Sequence, residues 1–71
     1  MMKAKKMFAK LGYKQIKNDD QMIAYELGCV RIIFDFMQKM YWCCSNGRSL
    51  CVDINVHKAI HQQLIELGWI E

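Results

Sequence analysis

The chain has 71 residues, a formal net charge of +3 and no proline, which allows a single domain (1–71) whose small core buries only ~60% of the unfolded surface. No apolar run approaches the ~20 residues of a membrane span, and Met1-Met2-Lys3-Ala4-Lys5-Lys6 lacks the apolar stretch and cleavage site of a secretory signal, so a cytoplasmic location with no membrane partner is expected. In that compartment the four cysteines act as reduced small hydrophobes and not as a disulfide framework.

Residues 2–11 have helical periodicity, with Ala4, Met7, Phe8 and Leu11 at i, i+3, i+4 and i+7. Lys3, Lys5, Lys6 and Lys10 fall on the other side, and residues 1–17 hold six lysines and no acid while the rest of the chain balances to −3. Such asymmetry marks either a solvated helix face or a surface for an acidic partner. Gly12 supplies a left-handed stop, and Tyr13 leaves in a new direction. Residues 13–17 fit a short strand closed by the polar turn Asn18-Asp19-Asp20.

Strand character follows near 21–27, 30–36, 39–45 and 48–52. A two-residue turn at Gly28-Cys29 sets Leu27 opposite Val30, Tyr25 opposite Ile32 and Ile23 opposite Phe34, with Glu26 facing Arg31 on the other side. A two-residue loop at Met37-Gln38 sets Phe34 opposite Tyr41 and Ile32 opposite Cys43. Met37-Gln38 has no turn chemistry, and a three-residue loop there would exchange Tyr41 and Trp42 between faces. Asn46-Gly47 is a type I′ signal that pairs Ser45 with Arg48, Cys43 with Leu50 and Tyr41 with Val52. The three registers agree on one inner face: Ile23, Tyr25, Leu27, Val30, Ile32, Phe34, Tyr41, Cys43, Leu50 and Val52.

Residues 54–67 form the second helix, with Asp53 or Asn55 as N-cap and Val56, Ile60, Leu64 and Leu67 in one stripe. Gly68 stops it, and Trp69 folds back as Tyr13 does. The expected fold class is α+β, α-β-β-β(-β)-α, an antiparallel meander sheet with both helices packed on one face.

His57 and His61 stand at i and i+4 on a helix, and with Cys44 and Cys51 they give Cys-x6-Cys-x5-His-x3-His. Zinc sites bring at least one tight Cys-x2-4-Cys pair, which is missing here, and the register puts both cysteines on the face away from the helix. No metal and no cofactor is expected. Cys43 or Cys44 beside His57 is the nearest approach to a nucleophile and base, yet no loop or helix N-terminus presents either thiol. With no carboxylate pair and no glycine-rich loop, an enzyme is not expected.

The α-β-β-β-α order resembles double-stranded-RNA-binding domains, whose last helix begins with lysines. Here that segment reads Asp53-Ile54-Asn55-Val56-His57-Lys58, without the motif. The order and Leu11-Gly12-Tyr13 also resemble the HicA-type mRNA-interferase toxins, but Gln21-Met22-Ile23 stands where those carry Gly-Ser-His. A wider likeness runs through Lys5-Lys6-Met7-Phe8-Ala9-Lys10-Leu11-Gly12-Tyr13, Ile32-Ile33-Phe34-Asp35, Tyr41-Trp42-Cys43 and Lys58 to Trp69. It resembles small uncharacterised proteins of phages and integrative elements from Gram-positive, often gut, bacteria. That family implies a genomic setting and no mechanism.

On the outer face Ile33, Trp42 and Cys51 line up across neighbouring strands, with Met22, Ala24 and Met40 nearby. An open apolar sheet face suggests an interaction site for a protein partner or a second copy. The expected function is therefore a non-catalytic interaction module from a mobile element. The alternatives are nucleic-acid binding through Lys3, Lys5, Lys6, Lys10 and Lys14, or inhibition of a host defence enzyme.

Overall fold

A computed structural model describes residues 2–46 and 51–71. Helix α1 (Ala4–Lys10) leads into strands β1 (Lys14–Asn18), β2 (Met22–Leu27), β3 (Val30–Asp35) and β4 (Met40–Ser45), and helix α2 (Ile54–Glu66) follows. The strands form one antiparallel sheet in the order β1-β2-β3-β4. Both helices contribute to a core built on one face of it, so the α+β layout read from the sequence holds. No helix of the described residues is long and apolar enough to cross a membrane.

Each turn between the described strands has an identifiable cause. At Gly28-Cys29 the glycine takes φ 59°, and Leu27 pairs with Val30, Tyr25 with Ile32 and Ile23 with Phe34, as the turn chemistry predicts. Between β3 and β4 the register also matches: Phe34 pairs with Tyr41 and Ile32 with Cys43. The turn itself is wider than two residues and is organised from Asp35, whose Oδ1 accepts the Met37 N–H at 2.9 Å. Lys39 closes it at φ 52°, while the Phe36 N–H donates to Gln21 at 3.0 Å. Asp19 does similar work between β1 and β2, where its Oδ1 accepts the N–H groups of Gln21 at 2.8 Å and Met22 at 3.0 Å. The backbone bonds hold that carboxyl below its ordinary pKa.

Both helices end in the same hydrogen-bonded motif. Tyr13 N–H donates to Phe8 and Gly12 N–H to Ala9, while Trp69 N–H donates to Leu64 and Gly68 N–H to Ile65, all within 2.9–3.0 Å. This is the Schellman pattern, which needs a left-handed residue at the first position past the cap. Gly12 and Gly68 supply it at φ 95° and 75°. The starts of the helices differ. Asp53 caps α2, accepting from Asn55 and Val56 at 2.9 Å each. Lys3, at the N-cap of α1, makes no side-chain bond, and the Ala4 N–H is instead satisfied by Glu66 Oε2, at 2.7 Å, from the last turn of α2.

The core stacks Phe8 of α1 on Tyr25 of β2, ring centroids 4.0 Å apart and planes 20° apart, with Phe34 edge-on to both. Ile23, Ile32, Val56, Ala59 and Ile60 complete it. Burying a ring of this size contributes roughly 1.5–3 kcal/mol, a large share of what so small a domain can have. One polar chain runs through it. The Tyr25 hydroxyl donates to Oε1 of buried Gln63 at 2.6 Å, and Gln15 Nε2 donates to the Tyr25 oxygen at 3.3 Å. Burial raises the phenol pKa of Tyr25, although the Gln15 bond opposes the shift.

Several expectations are corrected. Leu27, Tyr41 and Val52, all expected on the inner face, are 42–44% exposed. Leu27 lies beside the end of α1, where a Cβ on Gly12 would meet its Cδ1 at 3.4 Å. Ala24 on the outer face is buried. The stripe of α2 is rotated toward Ala59 and Gln63, leaving Leu64 and Leu67 half-buried. The fourth expected hairpin strand, 48–52, lies mostly outside the described residues, and Cys51 and Val52 belong to no strand.

Candidate functional site

Alternation along β3 and β4 turns Ile33 and Trp42 to the face opposite the helices, where they pair directly and Ala24 pairs with Ile33 from the other side. Met40, on the same face, pairs with Asp35. Exposure is uneven across this row. Ala24 is buried and Ile33 half-buried, whereas Trp42 and Met40 are 42% and 52% exposed. The apolar surface is therefore centred on β4 and not on the middle of the sheet. Cys51 is exposed but lies in no strand, so the expected alignment of Cys51 with Ile33 and Trp42 across the sheet is not formed.

Among the described residues, the helix side of β4 is also thinly covered. Ile32 and Phe34 of β3 are fully buried beneath the helices, while Tyr41 remains exposed and Cys43 half-buried. Tyr41, Cys43, Val52, Ile54, His57 and Ile60 line an open cleft of about 400 Å³ there. Of these, Ile54 at the first position of α2 is 64% exposed. Periodicity could not show this, because it gives the face of a strand but not how far the opposing helix reaches.

Cys43 and His57 thus border one cleft, the pairing weighed from the sequence. Burial raises the Cys43 thiol above its ordinary pKa, and neighbouring Cys44 adds to the shift, which disfavours the thiolate that nucleophilic chemistry uses. Cys44 lies on the other face, in a cleft with Cys29, Glu26 and Arg31. His57 and His61 are exposed, their rings 6.4 Å apart. The sheet stands between Cys44 and the two histidines, and among the described residues no three Cys, His, Asp or Glu side chains are grouped to hold a metal ion.

The lysines of α1 form a second surface. Lys3, Lys5, Lys6 and Lys10 are exposed on α1, and exposed Lys14 opens β1. Lys58 of α2, read from the sequence only as a lone lysine near the start of that helix, shares a groove with Lys10 and Asn55 between the two helices. The ion pairs among the described residues are Lys17–Asp19 and Glu26–Arg31, so none of these six lysines is neutralised by one.

Compared with protein-family models, curated proteins and solved structures, the chain matches none.

Proposed function

We propose that the protein is a non-catalytic interaction module of a mobile genetic element, working in the cytoplasm and binding a protein partner through the β4 side of its open sheet face. The observation that carries this reading is the exposure of Met40 and Trp42 on the face opposite both helices. Large apolar side chains grouped in this way mark binding surfaces, and tryptophan is enriched where such surfaces concentrate their energy. The test is affinity capture from host extract with the wild-type chain and with Trp42→Glu. A defined protein retained by the first and lost by the second supports the reading, and identical capture by both refutes it.

A second reading, nucleic-acid binding, is favoured by the convergence of Lys10 and Lys58 from two helices beside the other unpaired lysines of α1. Phosphate contacts make affinity fall steeply with salt. Binding that weakens with salt and is lost in Lys5→Glu/Lys6→Glu supports it. No binding to any nucleic acid at low salt ends it.

A further inference from the structure

We infer that the ligand of the lysine surface is a nucleic-acid duplex, held by its phosphates. The inference rests on the second reading, nucleic-acid binding, and names the form that the nucleic acid takes.

Helical spacing lays out the surface. Lys3, Lys6 and Lys10 stand at i, i+3 and i+7, in one stripe along α1. Met7 and Leu11 line the groove beside that stripe, and Asn55 and Lys58 line it from α2. All four lysines are exposed. The seven acidic residues of the chain are all described, and none forms an ion pair with these lysines. At the two ends of α2 the carboxylates are taken up by backbone N–H groups, Asp53 by Asn55 and Val56 and Glu66 by Ala4. The positive charge of the stripe and of Lys58 is therefore left for a polyanion.

Two observations select a duplex over a single strand. One is charge density. From Lys3 to Lys10 the chain covers about 10 Å of helix. Along that length a duplex carries about six phosphates and one strand about three. Four lysines, spread over two helices, exceed what one strand offers there and fall within what two offer. The other observation is where the aromatic rings lie. Single-strand sites add aromatic side chains on which the bases stack. The three Phe, three Tyr and two Trp of the chain are all described, and none of them lines the clefts bordered by these lysines. Phe8, Tyr25 and Phe34 are buried in the core, and Tyr13, Phe36 and Trp69 pack against it. Tyr41 lines the separate cleft with His57, and Trp42 lies beside Ile33 on the opposite face of the sheet. The lysine surface thus has the charge for phosphates and no platform for bases.

The experiment is fluorescence anisotropy with the full chain against a short DNA duplex, an RNA duplex of equal length, oligothymidylate and polyglutamate, the last two matched to the duplexes in total charge. At least one duplex is expected to bind about tenfold or more tightly than oligothymidylate and polyglutamate. Its log affinity is expected to fall against log salt with a slope of about −3 to −4, as four phosphate contacts require. Lys10→Gln/Lys58→Gln should make that slope shallower by about 2. Lys17→Gln/Lys39→Gln, of the same net charge, should leave it unchanged, with native circular dichroism in both variants. Oligothymidylate bound as tightly as the duplexes overturns the inference and leaves the second reading standing. Polyglutamate bound as tightly, or equal losses in the two double variants, overturns it as well, because either result reports charge alone. No binding to any probe at low salt ends both the inference and the second reading.

Discussion

Replacing Tyr25 with Phe removes one oxygen from the most buried part of the protein and keeps the ring. Tyr25 is 1% exposed and Gln63 4%, and the hydroxyl donates to Gln63 Oε1 at 2.6 Å. The stack on Phe8 survives the change, so the cost is polar. A buried acceptor left without its donor costs about 1–3 kcal/mol, and Gln15, half-buried on an edge strand, regains a partner from water. The expected loss is about 2 kcal/mol, equivalent to roughly 8–16 °C in Tm for a domain of this size. Urea unfolding of wild type and Tyr25→Phe at equal m-value measures it. Adding Gln63→Met removes the stranded amide, and the double variant is expected to recover to within about 1 kcal/mol of wild type, since replacing both partners by apolar groups is nearly neutral. A loss under about 0.5 kcal/mol for Tyr25→Phe, or a double variant no more stable than the single, refutes the reasoning.

Gly12→Ala and Gly68→Ala are each expected to cost about 1 kcal/mol or more. The cause is the left-handed backbone, because an added Cβ meets Leu27 Cδ1 at an ordinary 3.4 Å at Gly12 and nothing within 4 Å at Gly68. Unchanged melting of both would remove that explanation. Glu66→Ala leaves the Ala4 N–H without its acceptor and is expected to cost about 0.5–1 kcal/mol, with faster amide exchange in α1; equal exchange would show that the bond contributes nothing. The Asp19 carboxyl is depressed by bonds from Gln21 and Met22. Its contribution to stability is thus complete above the ordinary carboxylate pKa and lost as the pH falls through the lower folded value. Titration of Asp19 by nuclear magnetic resonance, at or above the ordinary range, would contradict this.

What could be read from the residues was local. Gly28-Cys29 carried enough turn chemistry to set the β2–β3 register, and hydrophobic parity carried it across to β4 even though Met37-Gln38 is not a turn sequence. The turn signal stood two positions earlier, in Asp35. The two Leu-Gly-aromatic endings were equally legible, because a Schellman motif is specified within six residues. Long-range facts were not. Nothing local shows that α2 leaves Tyr41 uncovered, that a polar Gln63 lies deeper than Leu64 or Leu67, or that Lys58 comes up beside Lys10. Each depends on where two distant elements settle, and apolar counting passes over Ala59 and Gln63 because one is small and the other polar. The candidate surface moved for the same reason, from the middle of the sheet face to its β4 border.

The bond from Glu66 to Ala4 spans 62 positions in the chain, which bears on the order of assembly. Helix α1 has seven residues, well below the ~12–15 at which an isolated helix holds together in water. Its N-terminal acceptor is supplied by the final turn of α2, so α1 is closed only once α2 has formed to its last turn. On the ribosome the meander can pair strand by strand as it emerges, each hairpin closing a short loop at little entropic cost. The first turn of α1 stays unlatched until the last turn of α2 is free to fold against it. A released chain truncated before Glu66 should therefore expose its lysine-rich helix α1 to protease more readily than the full chain does.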